Sequence, residues 1–240
     1  MERDWSRDAV RDPRLVRASW ALLAPAFGLS VLLLAQPARG AEDDARLWAT
    51  FGLQATLAGP VTGSLIIQPR FSQDMGELER VLLRPSISLE VSKPLVLTLG
   101  YDAHLIEDPR DKTEHRAWQE LGLQTPVDSF AVHHRLRLEE RFLEDVAGTA
   151  LRLRYRLRLG HPIGDSAFDA VVSNEVFFDL NSRRGGPRSG FGEDRAFAGL
   201  RRQVHQALAL EGGYQLQYVD RPGRDAANHV LMLGLNATLR

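Results

Sequence analysis

Leu151-Arg152-Leu153-Arg154-Tyr155-Arg156-Leu157-Arg158-Leu159 alternates without a break between an apolar or aromatic residue and an arginine. Successive side chains of a strand point to opposite faces, so this segment carries one row of leucines and a tyrosine and one row of four arginines. A helix would scatter both rows around its axis. Arginines on one strand face stand roughly 7 Å apart, which requires water or facing acids, while the other face requires a core or lipid.

Alternation recurs along the chain. Leu47, Ala49, Phe51, Leu53, Ala55 and Leu57 share one face, and Gly59-Pro60 ends that run. Similar segments follow at 65–72, 81–91, 95–105, 117–125, 130–142, 151–160, 168–180, 195–204, 208–218 and 229–239. Most are about the length that a tilted strand needs to cross a bilayer. Short turns at Ser92-Lys93-Pro94, Pro126-Val127-Asp128-Ser129 and 161–165 alternate with longer polar connections at 107–114, 181–194 and 220–228. Barrels with short periplasmic turns and long external loops have this rhythm. The expected fold is all-β: an antiparallel up-and-down transmembrane barrel. Eleven segments are visible, and single-chain bacterial barrels have even strand numbers, so twelve strands are expected, with ten as the alternative.

The one long apolar run, 21–35, is about 15 residues, short of the roughly 20 that a spanning helix needs. Arg3, Arg7, Arg11, Arg14 and Arg17 precede it, and Pro37-Ala38-Arg39-Gly40 supplies a helix break and small residues. These are the parts of a secretory signal peptide, so residues 1–40 are expected to be removed and 41–240 to form the barrel. The remainder holds 24 Lys and Arg against 27 Asp and Glu, a formal charge of −3, with no global basic field for nucleic acid. Cysteine is absent, which excludes disulfides, thiolate metal sites and cysteine nucleophiles.

In segment 130–142, Ala131, His133, Arg135, Arg137, Glu139 and Arg141 share one face, opposite Phe130, Val132, His134, Leu136, Leu138, Glu140 and Phe142. A lipid-facing arginine near the midplane costs about 2–4 kcal/mol, so the arginine rows must face a lumen. The expected lining is Arg135, Arg137, Glu139, Arg141, Arg152, Arg154, Arg156, Arg158, Glu175, Arg195, Arg201 and Glu211, with further acids at Glu90, Asp102, Asp169 and Asp179. Such a lining is either a guanidinium–carboxylate network filling a narrow barrel or a water channel favouring anions. Near balance of the two signs favours the network. Trp48, Tyr101, Trp118, Phe130, Phe142, Phe168, Phe178, Tyr214 and Tyr218 lie mostly near segment ends, as membrane girdles require.

Catalytic signals are weak. His133 and His134 face opposite ways and cannot share a metal, and the other histidines lack ligand spacing, so neither metal nor cofactor is expected. Ser173 shares the Glu175 face and is separated from outward His134, which argues against a serine hydrolase. The glycine-rich 183–188 stretch has no following helix to hold phosphate and reads as an external loop.

The run His134-Arg135-Leu136-Arg137-Leu138-Glu139-Glu140-Arg141-Phe142 and the following Arg152-Leu153-Arg154-Tyr155-Arg156 resemble the barrel family known as domain of unknown function 2490. Trp48, Tyr101, Trp118-Gln119, 175–178, 191–199 and Glu211-Gly212-Gly213-Tyr214 extend the resemblance over the mature chain. It implies an outer-membrane location and brings no substrate or catalytic residue. The ending Ala237-Thr238-Leu239-Arg240 departs from the terminal aromatic of many such barrels.

The expectation is therefore a monomeric, non-enzymatic outer-membrane barrel, structural or a narrow transport path, whose partners are membrane lipid and the barrel-assembly machinery. Two alternatives are a soluble periplasmic barrel that binds an apolar ligand inside and a lipid-modifying enzyme of the outer membrane.

Overall fold

Alternating segments leave each strand with one polar and one apolar face, and a single sheet can bury the polar face only by closing on itself. The computed structural model, which describes residues 42–106 and 113–239, shows that closure. Eleven strands follow in chain order: β1 (Glu42–Ala58), β2 (Val61–Ser72), β3 (Glu77–Ser92), β4 (Leu95–Ile106), β5 (Glu114–Val127), β6 (Phe130–Leu143), β7 (Ala150–Pro162), β8 (Phe168–Asp179), β9 (Gly190–His205), β10 (Leu208–Val219) and β11 (Ala226–Leu239). Each pairs antiparallel with the next, and β1 pairs parallel with β11 over Glu42–Ala55.

The expectation of twelve strands is thereby corrected to eleven. Each hairpin reverses direction, so the first and last strands of an odd set run the same way. They can close the barrel only through a parallel ladder, which β1 and β11 form. The expected signal peptide at 1–40 lies outside the described residues.

Register sets the dimensions. A path perpendicular to the strands from Thr56 passes through Thr62, Ser88, Thr98, Glu120, Arg137, Arg154, Phe177, Glu193, Val219 and Ala226 and returns to β1 at Glu42. That offset of fourteen residues over eleven strands implies a strand tilt of roughly 40–45° and a backbone radius on the order of 11 Å. Two long side chains from opposite walls span such an interior.

At one end lie the short connections after β1, β3, β5, β7 and β9, where Gly59 and Asp128 take the left-handed backbone that tight hairpins need. At the other lie the remaining connections, among them Leu180–Ser189 and Asp220–Asp225. The latter is tied down by the Tyr218 hydroxyl, which donates to Asp225 at 2.6 Å. β1 starts at this loop end and β11 finishes at the turn end.

Faces follow the alternation. Leu57, Ile87, Leu99, Leu105, Leu233 and Leu239 stand outward and exposed, Leu99 by 64%. Asp102 and Glu139 stand inward with no exposed surface. A one-residue slip in register would turn every arginine row outward, so register is strongly specified.

Candidate functional site

All twelve residues expected to line the lumen lie on the inward-facing rows, in register with the buried Asp102, Glu139 and Glu175 or alternating in phase with them. They form two zones of different character.

Toward the loops the interior is closed by ion pairs. Glu139 accepts from Arg154 at 2.5 Å, with Arg116 and Arg137 within 4 Å. Glu175 takes Arg135 at 2.5 Å and Arg154 at 2.7 Å, and Glu114 takes Arg116 at 2.8 Å and Arg141 at 2.5 Å. Asp179 takes Arg141 at 3.2 Å and Arg152 at 2.9 Å. Glu193 joins Arg195 at 2.5 Å to Gln217 at 2.6 Å, and Gln217 accepts from Asn228 at 3.0 Å. Sharing of each acid between at least two donors, arginines for all but Glu193, satisfies several oxygen lone pairs at once, which a buried carboxylate needs to offset lost hydration.

Aromatic rings separate the guanidinium groups within this network. The Trp118 ring lies 3.7 Å under the Arg137 guanidinium, and its Nε1 donates to Asp102 at 2.7 Å. Asp102 is also clamped by Nε and Nη2 of Arg84, at 2.7 and 2.6 Å. Phe177 faces Arg154 at 4.5 Å and Arg195 at 4.6 Å, and Trp48 faces Arg70 at 3.8 Å. The negative ring face attracts each cation and holds like charges apart.

Trp48 and Trp118 are therefore not girdle residues, as the sequence suggested. Both are 2% exposed and face the lumen. The parity of β5 carries the missed signal, because Glu114, Arg116, Trp118 and Glu120 fall on one row. Gly100 carries another: it lies opposite Trp118, and a Cβ there would come within 2.1 Å of the indole. A glycine inside a strand marks such a close approach. Arg84, Arg116, Glu114, Glu120 and Glu193 also join the lumen without having been singled out. Tyr101, Phe130, Phe142, Phe168, Phe178 and Tyr214 do stand exposed.

Toward the turns the lumen is open and less packed. Arg158 forms a bidentate pair with Glu211, Asp169 stands opposite Arg201, and Gln203 and Glu90 are exposed near the rim. The facing wall is small and hydroxylic: Ser64 and Ser86 share a hydrogen bond of 2.6 Å, as do Ser88 and Thr98 at 2.9 Å.

Ser173 and His134 do not meet, since Ser173 pairs in register with inward Arg158 and outward His134 bonds the Tyr155 hydroxyl at 2.8 Å. A serine–histidine contact that sequence reading missed joins Ser129 Oγ to His161 Nε2 at 2.9 Å near the turn rim. No carboxylate orients that imidazole among the described residues, so it lacks the third member of a triad. Groups of three or more histidine, aspartate or glutamate side chains with metal-binding geometry are absent among the described residues.

The chain is similar to known sequences over almost its whole length. Residues 45–228 match the model of a family described as "Protein of unknown function (DUF2490)". An uncharacterized protein of Methylorubrum extorquens AM1 is 30% identical over 236 residues, covering 94% of this chain and 98% of the relative. With the resemblance extending from the first strand into the last, the chain belongs to the DUF2490 family.

Proposed function

We propose that the barrel spans a bacterial outer membrane as a monomer, exported on a cleaved signal peptide and inserted by the barrel-assembly machinery. Its role in this reading is non-enzymatic: structural, or a narrow path selective for anions. The carrying observation is the outward face. Leucine, isoleucine, valine and phenylalanine dominate it on every side of a closed barrel, with Leu57, Ile87, Leu99 and Leu105 each more than half exposed. Soluble monomers rarely expose apolar patches beyond a few hundred Å², and this one encircles the molecule. An apolar ligand has no matching interior, because charged and hydroxyl side chains dominate the inward rows and the inward rings are taken up by guanidinium groups.

An aromatic belt supports the same reading. Register carries Tyr101 across to Leu151 on β7, and Tyr155 across to Tyr218 on β10. The stagger sets a common level about four residues back over three strands, at Tyr155 and at Tyr214. Three outward tyrosines thus stand at one height, on every third strand. Each meets a histidine: Tyr101 stacks on His115, Tyr155 bonds His134, and Tyr214 bonds His229 at 2.7 Å. Rings with a polar tip suit the level where acyl chains meet headgroups. Loopward of it the outward rows admit His115, Glu140, Asp194 and His229.

Nitroxide accessibility tests the placement, and the cysteine-free chain allows single labels. In lipid vesicles, labels at Leu157→Cys and Ile87→Cys are expected to collide with oxygen, and one at Ser86→Cys with a water-soluble nickel chelate. The reverse pattern, or a protein that partitions wholly into the soluble periplasmic fraction, would rule out the membrane reading. In planar bilayers the closed loop-side half predicts conductance far below that of an open porin. A large steady conductance would contradict a plugged lumen.

A further inference from the structure

Most lumen arginines are shared out among acids; Arg70 rests instead on Gln68 and the Trp48 ring, and Arg156 has neither an acid nor a ring among the described residues. Among the described residues no carboxylate lies within ion-pair distance of its guanidinium. Across the ladders it faces Arg135 on β6 and Glu175 on β8. Glu175 is already held by Arg135 at 2.5 Å and Arg154 at 2.7 Å. Arg158, next on the same row, is committed to Glu211. Glu120 is taken by Arg137 at 2.6 Å. Arg156 is thus a cation between two other cations, with every nearby acid occupied.

A second group points the same way. The Nε of Arg135 is buried and makes no hydrogen bond; its acid contact is Glu120 at 3.5 Å, which is already bonded to Arg137. A buried guanidinium nitrogen with so long a contact, beside a surplus cation, makes a place where an anion would be favoured. The facing wall carries short side chains. β7 lies across the barrel from β1 and β2, and the inward residues of β2 in this half include Thr62 and Ser64, with Ser86 and Ser88 beside them on β3. The zone is closed on the loop side, where Arg154 is 4% exposed, while the rim residues at the turn end are open to solvent.

We infer that the turn-side half of the lumen is an oxyanion-binding vestibule, in which the guanidinium fork of Arg156, with Arg135 beside it at the inner edge of that half, takes a soluble phosphate or phosphate monoester. A planar fork matches two phosphate oxygens, and charge-assisted bonds of this kind are about twice as strong as neutral ones. The inference stands apart from the membrane reading, because the inward rows are the same in detergent, lipid or water.

Calorimetric titration of the refolded barrel in neutral detergent at low salt tests it, with inorganic phosphate as the probe. The expected result is saturable binding to one site, weakened at least tenfold in Arg156→Gln and unchanged in Arg202→Gln, which is outward. Arg156→Lys keeps the charge but loses the fork, and is expected to weaken binding at least threefold. Absence of saturable binding in the native protein, or binding undiminished in either Arg156 variant, would overturn the proposal. Arg156→Gln also removes repulsion without orphaning an acid, so its thermal midpoint without phosphate should rise by about 2–4 °C. A fall would show that Arg156 has an internal partner and sink the vestibule.

Discussion

Asp102→Asn is expected to destabilise the barrel by about 3–5 kcal/mol, although it changes only one oxygen to an amide nitrogen. Asp102 is wholly buried on β4 and receives three hydrogen bonds, two from Arg84 and one from Trp118. Asparagine keeps one acceptor, loses the charge, and turns an N–H group toward a guanidinium. The cost comes chiefly from what remains: Arg84 keeps its positive charge in a closed space, and the indole N–H competes for the single oxygen. Replacing both Asp102 and Arg84 by apolar residues of similar volume should be milder, because no orphaned charge is left. Urea unfolding of the refolded protein, followed by the difference in gel mobility between folded and heated samples, gives the comparison. A loss below about 1 kcal/mol for Asp102→Asn would show that water relieves the network more than its burial implies.

Trp118→Ala should cost a similar amount, about 3–5 kcal/mol, by a different route. The indole fills the space beside Gly100, lies beneath Arg137 and holds Asp102. Its removal leaves a cavity, exposes Arg137 to neighbouring guanidinium groups and takes away one of the two donors to Asp102 Oδ1. Gly100→Ala attacks the same contact from the other side. A Cβ placed 2.1 Å from the ring must displace it, which should cost about 1–3 kcal/mol. The two substitutions should not add. With alanine at 118 the ring is gone, so alanine at 100 meets no obstacle and its penalty should fall by at least half. Additive losses within about 0.5 kcal/mol would mean that the glycine serves some other purpose than seating the tryptophan.

A different pair of glycines shows how tightly the wall is drawn. Gly199 and Gly213 face each other across β9 and β10, and a Cβ at Gly213 would approach the Ala198 carbonyl within 2.4 Å and the Gly199 Cα within 2.6 Å. The neighbouring Phe197 ring lies against both. Backbone cannot yield as a flexible side chain can, so this position should tolerate substitution poorly.

Side-chain period two was legible in the chain because a sheet with one charged and one apolar face has to express it residue by residue. The arginine row of β7 and the mixed row of β6 therefore yielded both the barrel and its lining. Strand number was obscured because the reading assumed an all-antiparallel closure. The parallel seam between β1 and β11 joins the two ends of the chain, and no local pattern announces such a long-range pairing. Trp48 and Trp118 were misplaced for a related reason. Position near a segment end suggests a girdle, whereas parity places both among the charges, and the balance depends on whether a partner surface accepts the ring.

By itself, then, the sequence determined which residues share a face, since alternation is local and a row of arginines has to meet water or acids. Only the tertiary structure decided which arginine meets which acid. Those partners lie on different strands, up to 53 residues apart for Arg158 and Glu211, and the fourteen-residue stagger around the ring brings them to one level. That stagger seats tryptophans between guanidinium groups and leaves Arg156 without an acid among the described residues, because ion-pair geometry is set over a few ångströms by the closed circumference and not by neighbours in the chain.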